Sequence, residues 1–315
     1  MGKKSEKALW EKGFTTWERY VDSFPNQYCL FGPSTSDSLL RESMAAYERG
    51  DMAFFAKALP TAEYYRVALE FPDDVLFFDI ETTGLSTHYD IITMVGWSLG
   101  KSYGVYINGQ DDTRLRAALA QAKAIVTFNG TLFDLKFIEK HFQALTIPGV
   151  HIDLRFFAKR VGLSGGQKAI EAEIGFKRAS AIGDMLGEAA PILWHKYRRG
   201  DLDAMKRLIE YNHADVEGMK WILDICTKRY FEKESIPKKI QKEPRFIEQP
   251  SRIEWANGSS NGPTSYEIAI PAFSGSSKPL VTSTKSFVEK HVPGLGSGRI
   301  KSLLVRESMP LNALF

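Results

Sequence analysis

The first 72 residues place apolar side chains at helical spacing. In ALWEKGFTTWERYVDSF the stripe breaks at Gly13 and restarts behind Thr15 and Thr16, a helix-start signal. A second helical patch, SLLRESMAAYERGDMAFFAKAL, stops at Pro60. The period then changes. VLFFDI is short and nearly all apolar, the pattern of a strand covered on both faces. DIITMVGWSLG and SYGVYING follow at hairpin distances and are rich in β-branched and aromatic residues. Residues 112–122 return to a helical period. AIVTF predicts another buried strand, TLFDLKFIEKHF an amphipathic helix and HIDL a further short strand, and several helices fill 154–230. Three meander strands followed by alternating strands and helices predict an α/β fold, a mixed sheet with helices on its faces. No internal repeat is visible.

Composition changes the picture at one end. Residues 231–315 hold 13 Ser, 6 Gly and 8 of the 14 Pro, and no Asp. SRIEWANGSSNGPTS has no usable period and reads as linker. The expected organisation is a helical arm over 1–61, an α/β domain over 62–232, a low-order segment over 233–285 and a short tail over 286–315. A net charge of +3 across 315 residues argues against binding a polyanion by bulk charge, so any such contact must be local. No run approaches 18 apolar residues, and MGKKSEKALW lacks an apolar leader core. Glu6 stands where an N-myristoylation signal needs Ser or Thr. Cys29 and Cys226 read as reduced thiols. A cytoplasmic protein without a membrane anchor is expected.

Candidate chemistry sits in three places. Asp79 and Glu81, in FFDIETTGL, are two apart at the end of a buried strand and so point to one face. Side by side they repel each other and lose solvation, and a cation between them removes both penalties. A lone D-x-E is more often a solvated strand end. In VTFNGTLFDLKFI, Asn129 and Gly130 turn the chain, and Asp134 falls in the first turn of a helix, where the helix dipole favours it. In LIEYNHADVEGMKWIL, Tyr211 and Asp215 are four apart, hence on one helix face. Four carboxylates with no clustered Cys or His make a hard oxygen site, suited to Mg²⁺ or Mn²⁺ rather than Zn²⁺. His151 and Asp153 lack a third ligand nearby in the sequence.

The ordered set, FDIETTGL, FNGTLFD and YNHADV together with GLSGGQKAIEAEIGFKR, resembles the DEDD-type 3′–5′ exonucleases and most closely their YprB-type ribonuclease H-like branch. The resemblance covers roughly 62–230 and implies a ribonuclease H-like fold. It implies that Asp79, Glu81, Asp134 and Asp215 bind two Mg²⁺ or Mn²⁺ ions, which hold both sides of an in-line phosphoryl displacement. Tyr211 matches the tyrosine of the DEDDy subgroup. It would orient the attacking water, being too weak an acid to serve as a base at neutral pH. The histidine subgroup needs His five residues before Asp215, where this chain has Glu210, so His213 is expected on the helix surface. The implied partner is nucleic acid, DNA or RNA, entering as a single-stranded 3′ end and leaving as nucleoside 5′-monophosphates.

The same likeness brings Thr82, Thr83, Gly84 and Leu85 to the terminal nucleotide. Asn129 and Phe133 fit hydrogen-bonding and stacking roles. Gly165, Gly166 and Lys168 open a helix as a phosphate site would, but G-G-x-K is not a Walker A loop, so no nucleotide cofactor is expected. Arg155 and Arg178 are further candidates for strand contacts. In the tail, FVEKHVPGLGSGRIKSLLVRE resembles part of a helix-hairpin-helix, with amides near Gly294 and Gly296 and charge from Arg299 and Lys301. Two rival functions remain open at this point: a non-catalytic nucleic-acid-binding module on a nuclease fold, and a structure-specific endonuclease. A pocket plugged by a salt-bridging Lys or Arg would speak against any nuclease.

Overall fold

The computed structural model describes residues 3–23, 35–180, 185, 187–256 and 267–272. Cys29 and the Gly294–Lys301 segment of the tail lie outside these residues, as does most of the span read as linker. Residues 1–271 form one compact unit.

At its centre is a five-stranded sheet of β1 (Val75–Thr82), β2 (Ile92–Leu99), β3 (Ser102–Ile107), β4 (Ala124–Thr127) and β5 (His151–Asp153), in the spatial order β3-β2-β1-β4-β5. The three meander strands are antiparallel, whereas β4 and β5 run parallel to β1. β1 is therefore central, which is why VLFFDI carries apolar residues on both faces. Its register sets Asp79 beside Gly96 and Glu81 beside Met94, and the pairing shifts between Glu81 and Thr82. That irregularity ends the regular strand just beyond the acids.

Helices α1 (Lys3–Glu11), α2 (Trp17–Ser23), α3 (Thr35–Glu48), α4 (Met52–Ala58) and α5 (Tyr65–Glu70) build the N-terminal region. Thr16 starts α2, its Oγ1 accepting from the Arg19 amide at 3.2 Å, and Gly50 separates α3 from α4 at φ +65°. α1 buries no side chain. It is tied down by ion pairs: Lys3 to Glu234 at 3.4 Å and to the Tyr230 hydroxyl, and Arg66 to Glu6 through two nitrogens at 2.5 and 2.9 Å.

The two faces of the sheet differ. Leu76, Phe78 and Ile80 of β1 point into an apolar core with Leu115 of α6 (Thr113–Gln121) and Phe137 and Ile138 of α7 (Asp134–His141). Phe77, Asp79 and Glu81 point the other way by strand alternation. After α8 (Leu154–Arg160), α9 (Gln167–Ile174) and α10 (Ala189–Tyr197) comes α11 (Leu202–Lys233), which crosses that second face. At 32 residues α11 is about 48 Å long. Asp201 caps it, accepting from the Ala204 amide at 3.0 Å.

Residues 246–249, after α11, are pinned to that helix. Asp224 accepts from the amides of Phe246 and Ile247 at 3.2 and 3.0 Å, and the buried Lys220 amine donates to the Gln249 carbonyl at 2.8 Å. Phe246 meets the Phe77 ring at 5.3 Å. No helix among the described residues is long and apolar enough to cross a membrane.

Candidate active site

β1 and α11 together bring three of the four expected acids into one place. Asp79, Glu81 and Asp215 each offer a carboxylate oxygen, and these oxygens lie within 4.8 Å of one another. Glu81 and Asp215 are buried, whereas Asp79 keeps an opening to solvent. Asp134, buried at the start of α7, is not part of this triplet, but its charge acts on both Asp79 and Glu81.

The electrostatics are those of an anionic pocket short of positive charge. Burial, then Asp215 and Glu81, hold the Asp79 carboxyl well above the usual carboxylate range. Burial and then Asp215 do the same to Glu81. Burial pushes Asp134 up to about 7, against the pull of its own amide and that of Ile80. Burial also raises Asp215, opposed by Arg178. Buried acids that converge and resist ionisation are the donor set a divalent cation fits, and hard oxygens favour Mg²⁺ or Mn²⁺.

Asn212 was not anticipated. Fully buried on α11, it donates from Nδ2 to Asp79 Oδ2 at 2.7 Å and to Glu81 Oε1 at 3.2 Å, bridging the D-x-E pair from behind. The Tyr103 hydroxyl of β3 donates to Asn212 Oδ1 at 2.9 Å and so fixes which way the amide points. Gly96 makes room for both: a Cβ there would overlap Asn212 Oδ1 and come within 2.6 Å of the Tyr103 oxygen. The sequence signal was available. Asn212 lies three residues before Asp215, so a polar amide occupies the helix face already assigned to the site. Gly96→Ala is expected to push Asn212 off the acids and lower the melting temperature by several degrees, as about 1–3 kcal/mol of overpacking would. A melt matching the wild type would show that Asn212 is not locked.

Tyr211 is buried on the same side of α11, and burial with the charge of Asp215 drives its hydroxyl far above its ordinary range. It stays protonated, which suits a hydrogen-bond donor and not a base. Lys168, in the first turn of α9, stands with Nζ 4.8 Å from the Tyr211 ring and donates to the Met185 carbonyl. Gly165, at φ +112°, and Gly166 precede it.

Arg178 does reach into the pocket. Its Nη2 donates to Asp215 Oδ1 at 2.5 Å, while Nε and Nη2 fork onto Glu171 at 2.7 and 2.8 Å. Of the three acids it hydrogen-bonds Asp215 alone, whose carboxylate lies within 4.8 Å of those of Asp79 and Glu81.

The residues expected to contact substrate have partners within the protein. The Thr82 hydroxyl donates to the Gly84 carbonyl at 2.6 Å, and the Thr83 hydroxyl donates to Asp90 Oδ1 at 3.0 Å while accepting from the Ile91 amide at 3.1 Å. Both hydroxyls thus shape the turn. Asp90 sits directly under Gly84, where any Cβ would meet its carboxylate at 2.6 Å. Leu85 is 77% exposed. Asn129 adopts φ +66°, its amide donating to Asp153 Oδ1 at 2.9 Å and its Oδ1 accepting from Arg155 at 2.7 Å. Phe133 packs on Phe137 at 4.9 Å and is half-buried. His151 Nε2 lies 2.8 Å from Thr127 Oγ1. His213 departs from the surface position expected for it. It is half-buried, edge-on to Tyr103 at 4.7 Å and 3.2 Å from Ser251 Oγ, because residues 250–252 fold over it.

Residues 76–227 match the family model of the RNase H superfamily. The mixed sheet with its flanking helices is a ribonuclease H-like domain. No curated protein matches the chain. Solved structures similar to it include the apo form of a nuclease, at 18% identity and a TM-score of 0.38, covering 58% of this chain and 84% of that one. NrnC of Brucella melitensis with bound Mg²⁺ aligns at 20% identity and a TM-score of 0.36, over 57% of this chain and 83% of its own. The family B DNA polymerase of the hyperthermophilic archaeon Pyrobaculum calidifontis aligns at 15% identity and a TM-score of 0.34, over 51% of this chain and 29% of its own.

Proposed function

We propose that the chain is a metal-dependent 3′–5′ exonuclease of the DEDDy type, in the YprB-like branch, that releases nucleoside 5′-monophosphates from a single-stranded end of DNA or RNA. One observation carries the reading: three acids on β1 and α11 converge within 4.8 Å, and burial holds the carboxyl of each above its ordinary range. In this reading Asp79, Glu81, Asp134 and Asp215 would hold two Mg²⁺ or Mn²⁺ ions. Bound there, the ions supply an activated water and neutralise charge on the leaving 3′-oxygen.

The chain's own groups do the rest. Tyr211, kept neutral, donates to and orients the attacking water. Asn212 holds Asp79 and Glu81 in one arrangement, with no reorganisation left for the reaction. Lys168 lends positive charge to the scissile phosphate. The Thr82–Leu85 turn meets the terminal nucleotide with its backbone amides and the exposed Leu85, since the two threonine hydroxyls are already engaged. Asn129 and Phe133 flank the next nucleotide. Tyr211→Phe is expected to lower turnover about 10–100-fold and to leave Mn²⁺ affinity within a factor of two or so, because the hydroxyl is not a metal ligand. A Phe variant as fast as the wild type would take Tyr211 out of the mechanism.

The deciding assay uses 5′-end-labelled single-stranded DNA and RNA, with the 3′ hydroxyl free or blocked, in Mg²⁺ or Mn²⁺. A ladder shortening from the free 3′ end, and arrest on the blocked end, is expected. Internal cuts in the blocked strand would identify an endonuclease. Retarded but intact strands would identify a binding module.

A further inference from the structure

We propose that Arg178, clamped by Glu171, is a positioning residue that fixes the carboxylate plane in which Asp215 meets a divalent cation. This rests on the reading that Asp79, Glu81 and Asp215 hold such a cation. The geometry is built rather than incidental. Arg178 forks onto Glu171 through Nε and Nη2 and reaches Asp215 Oδ1 with the same Nη2. The side chains of Arg178 and Glu171 are 6% and 3% exposed. Gln167 ties the two sides together, donating to Glu171 Oε1 at 2.8 Å and to the backbone carbonyl of Asp215 at 2.7 Å. Gly218, three residues after Asp215 and on its helix face, leaves the space that Glu171 fills, since a Cβ there would overlap Glu171 Oε1.

Stability alone does not account for the arrangement. A buried ion pair rarely outperforms a well-packed apolar replacement. Here the guanidinium also keeps Nη1 buried with no hydrogen-bond partner among the described residues, a further penalty. Orientation is what a planar fork supplies. Asp79 and Glu81 are held from behind by Asn212; among the described residues Asp215 has no such amide, and its counterpart is Arg178. Groups that orient a metal ligand in this way set metal affinity without touching the ion.

The test is a Mn²⁺ binding isotherm on the full-length protein, read beside the thermal melt without metal. In Glu171→Gln/Arg178→Gln the net charge is unchanged, but Asp215 loses its clamp. Its Mn²⁺ dissociation constant is expected to rise about 10–100-fold. A pair that merely stabilises the fold would lower the melt and leave the affinity of the folded protein unchanged, and that result overturns the proposal. Arg178→Lys keeps the charge but not the fork. Weaker binding than wild type is expected, whereas full wild-type affinity would show that charge and not orientation matters. The lysine variant carries the test alone if the double variant does not fold. Asp79→Asn separates the two levels of the argument: if wild type shows no saturable Mn²⁺ binding that Asp79→Asn removes, the metal reading fails first and this one with it.

Discussion

Asp79→Asn and Asp215→Asn are each expected to lower Mg²⁺-dependent degradation of nucleic acid at least about a thousandfold, equivalent to about 4 kcal/mol of transition-state stabilisation. Each removes the charge of one of three carboxylates whose oxygens converge within 4.8 Å. The Asp79 variant should also show the opposite effect on stability. In the metal-free protein Asp79 is crowded by Asp215 and Glu81, and an Asn side chain removes that repulsion while still accepting from Asn212. Its metal-free melting temperature should therefore exceed the wild type's, by about 2–4 °C for each kcal/mol of repulsion relieved. Loss of activity with gain of stability marks a functional acid. Activity that survives in either variant refutes the site, and an Asp79→Asn protein that melts below wild type refutes the crowding.

The second large effect is a stability that depends on pH and metal together. Asp134 is raised to about 7 in the folded protein, whereas an unfolded Asp titrates near 3.9. Between these values the folded state binds more protons than the unfolded one, so this contribution falls as pH rises from about 4 to about 7. Asp79 and Glu81 are raised as well and act with the same sign. Burial lowers the pKa values of His141, His151 and His213, and lowered bases act in the opposite direction. The acids' share is isolated by comparing melts with and without metal at each pH. Saturating Mg²⁺ or Mn²⁺ should raise the melting temperature more at pH 8 than at pH 5, since the ion must displace protons at the lower value. An increment that is equal at both pH values, or larger at pH 5, would mean that the ion does not bind these carboxylates.

Much of this site was legible before any coordinates. D-x-E at the end of an apolar run fixes two carboxylates on one strand face, and Y-x-x-x-D fixes a second pair on one helix face. Both follow from local periodicity, and the fold supplies only their meeting. Asp134 was legible as a first-turn acid, but its place beside the triplet rather than within it was not, because that depends on where α7 meets β1. Contacts that depend on tertiary stacking escaped the sequence, even where, as for Asn212, the helix face was legible. Asn212, Tyr103 and Gly96 come from α11, β3 and β2 and make sense only when stacked. Arg178 was legible as a candidate for the substrate strand, yet its partner turned out to be Glu171, admitted by a glycine forty-seven positions away. The threonines after Glu81 were read as substrate contacts; that their hydroxyls also shape the turn was not legible, since it depends on where Gly84 and Asp90 fold back. The Pro- and Ser-rich stretch after α11 was read from composition as low-order. Composition says nothing of Asp224 and Lys220, which pin residues 246–249.

The most direct test of the central claim is anomalous diffraction from crystals grown with Mn²⁺. A peak within coordination distance of the carboxylates of Asp79, Glu81 and Asp215 is the expected result. Occupied manganese elsewhere, with these three acids left uncoordinated at saturating Mn²⁺, would contradict it.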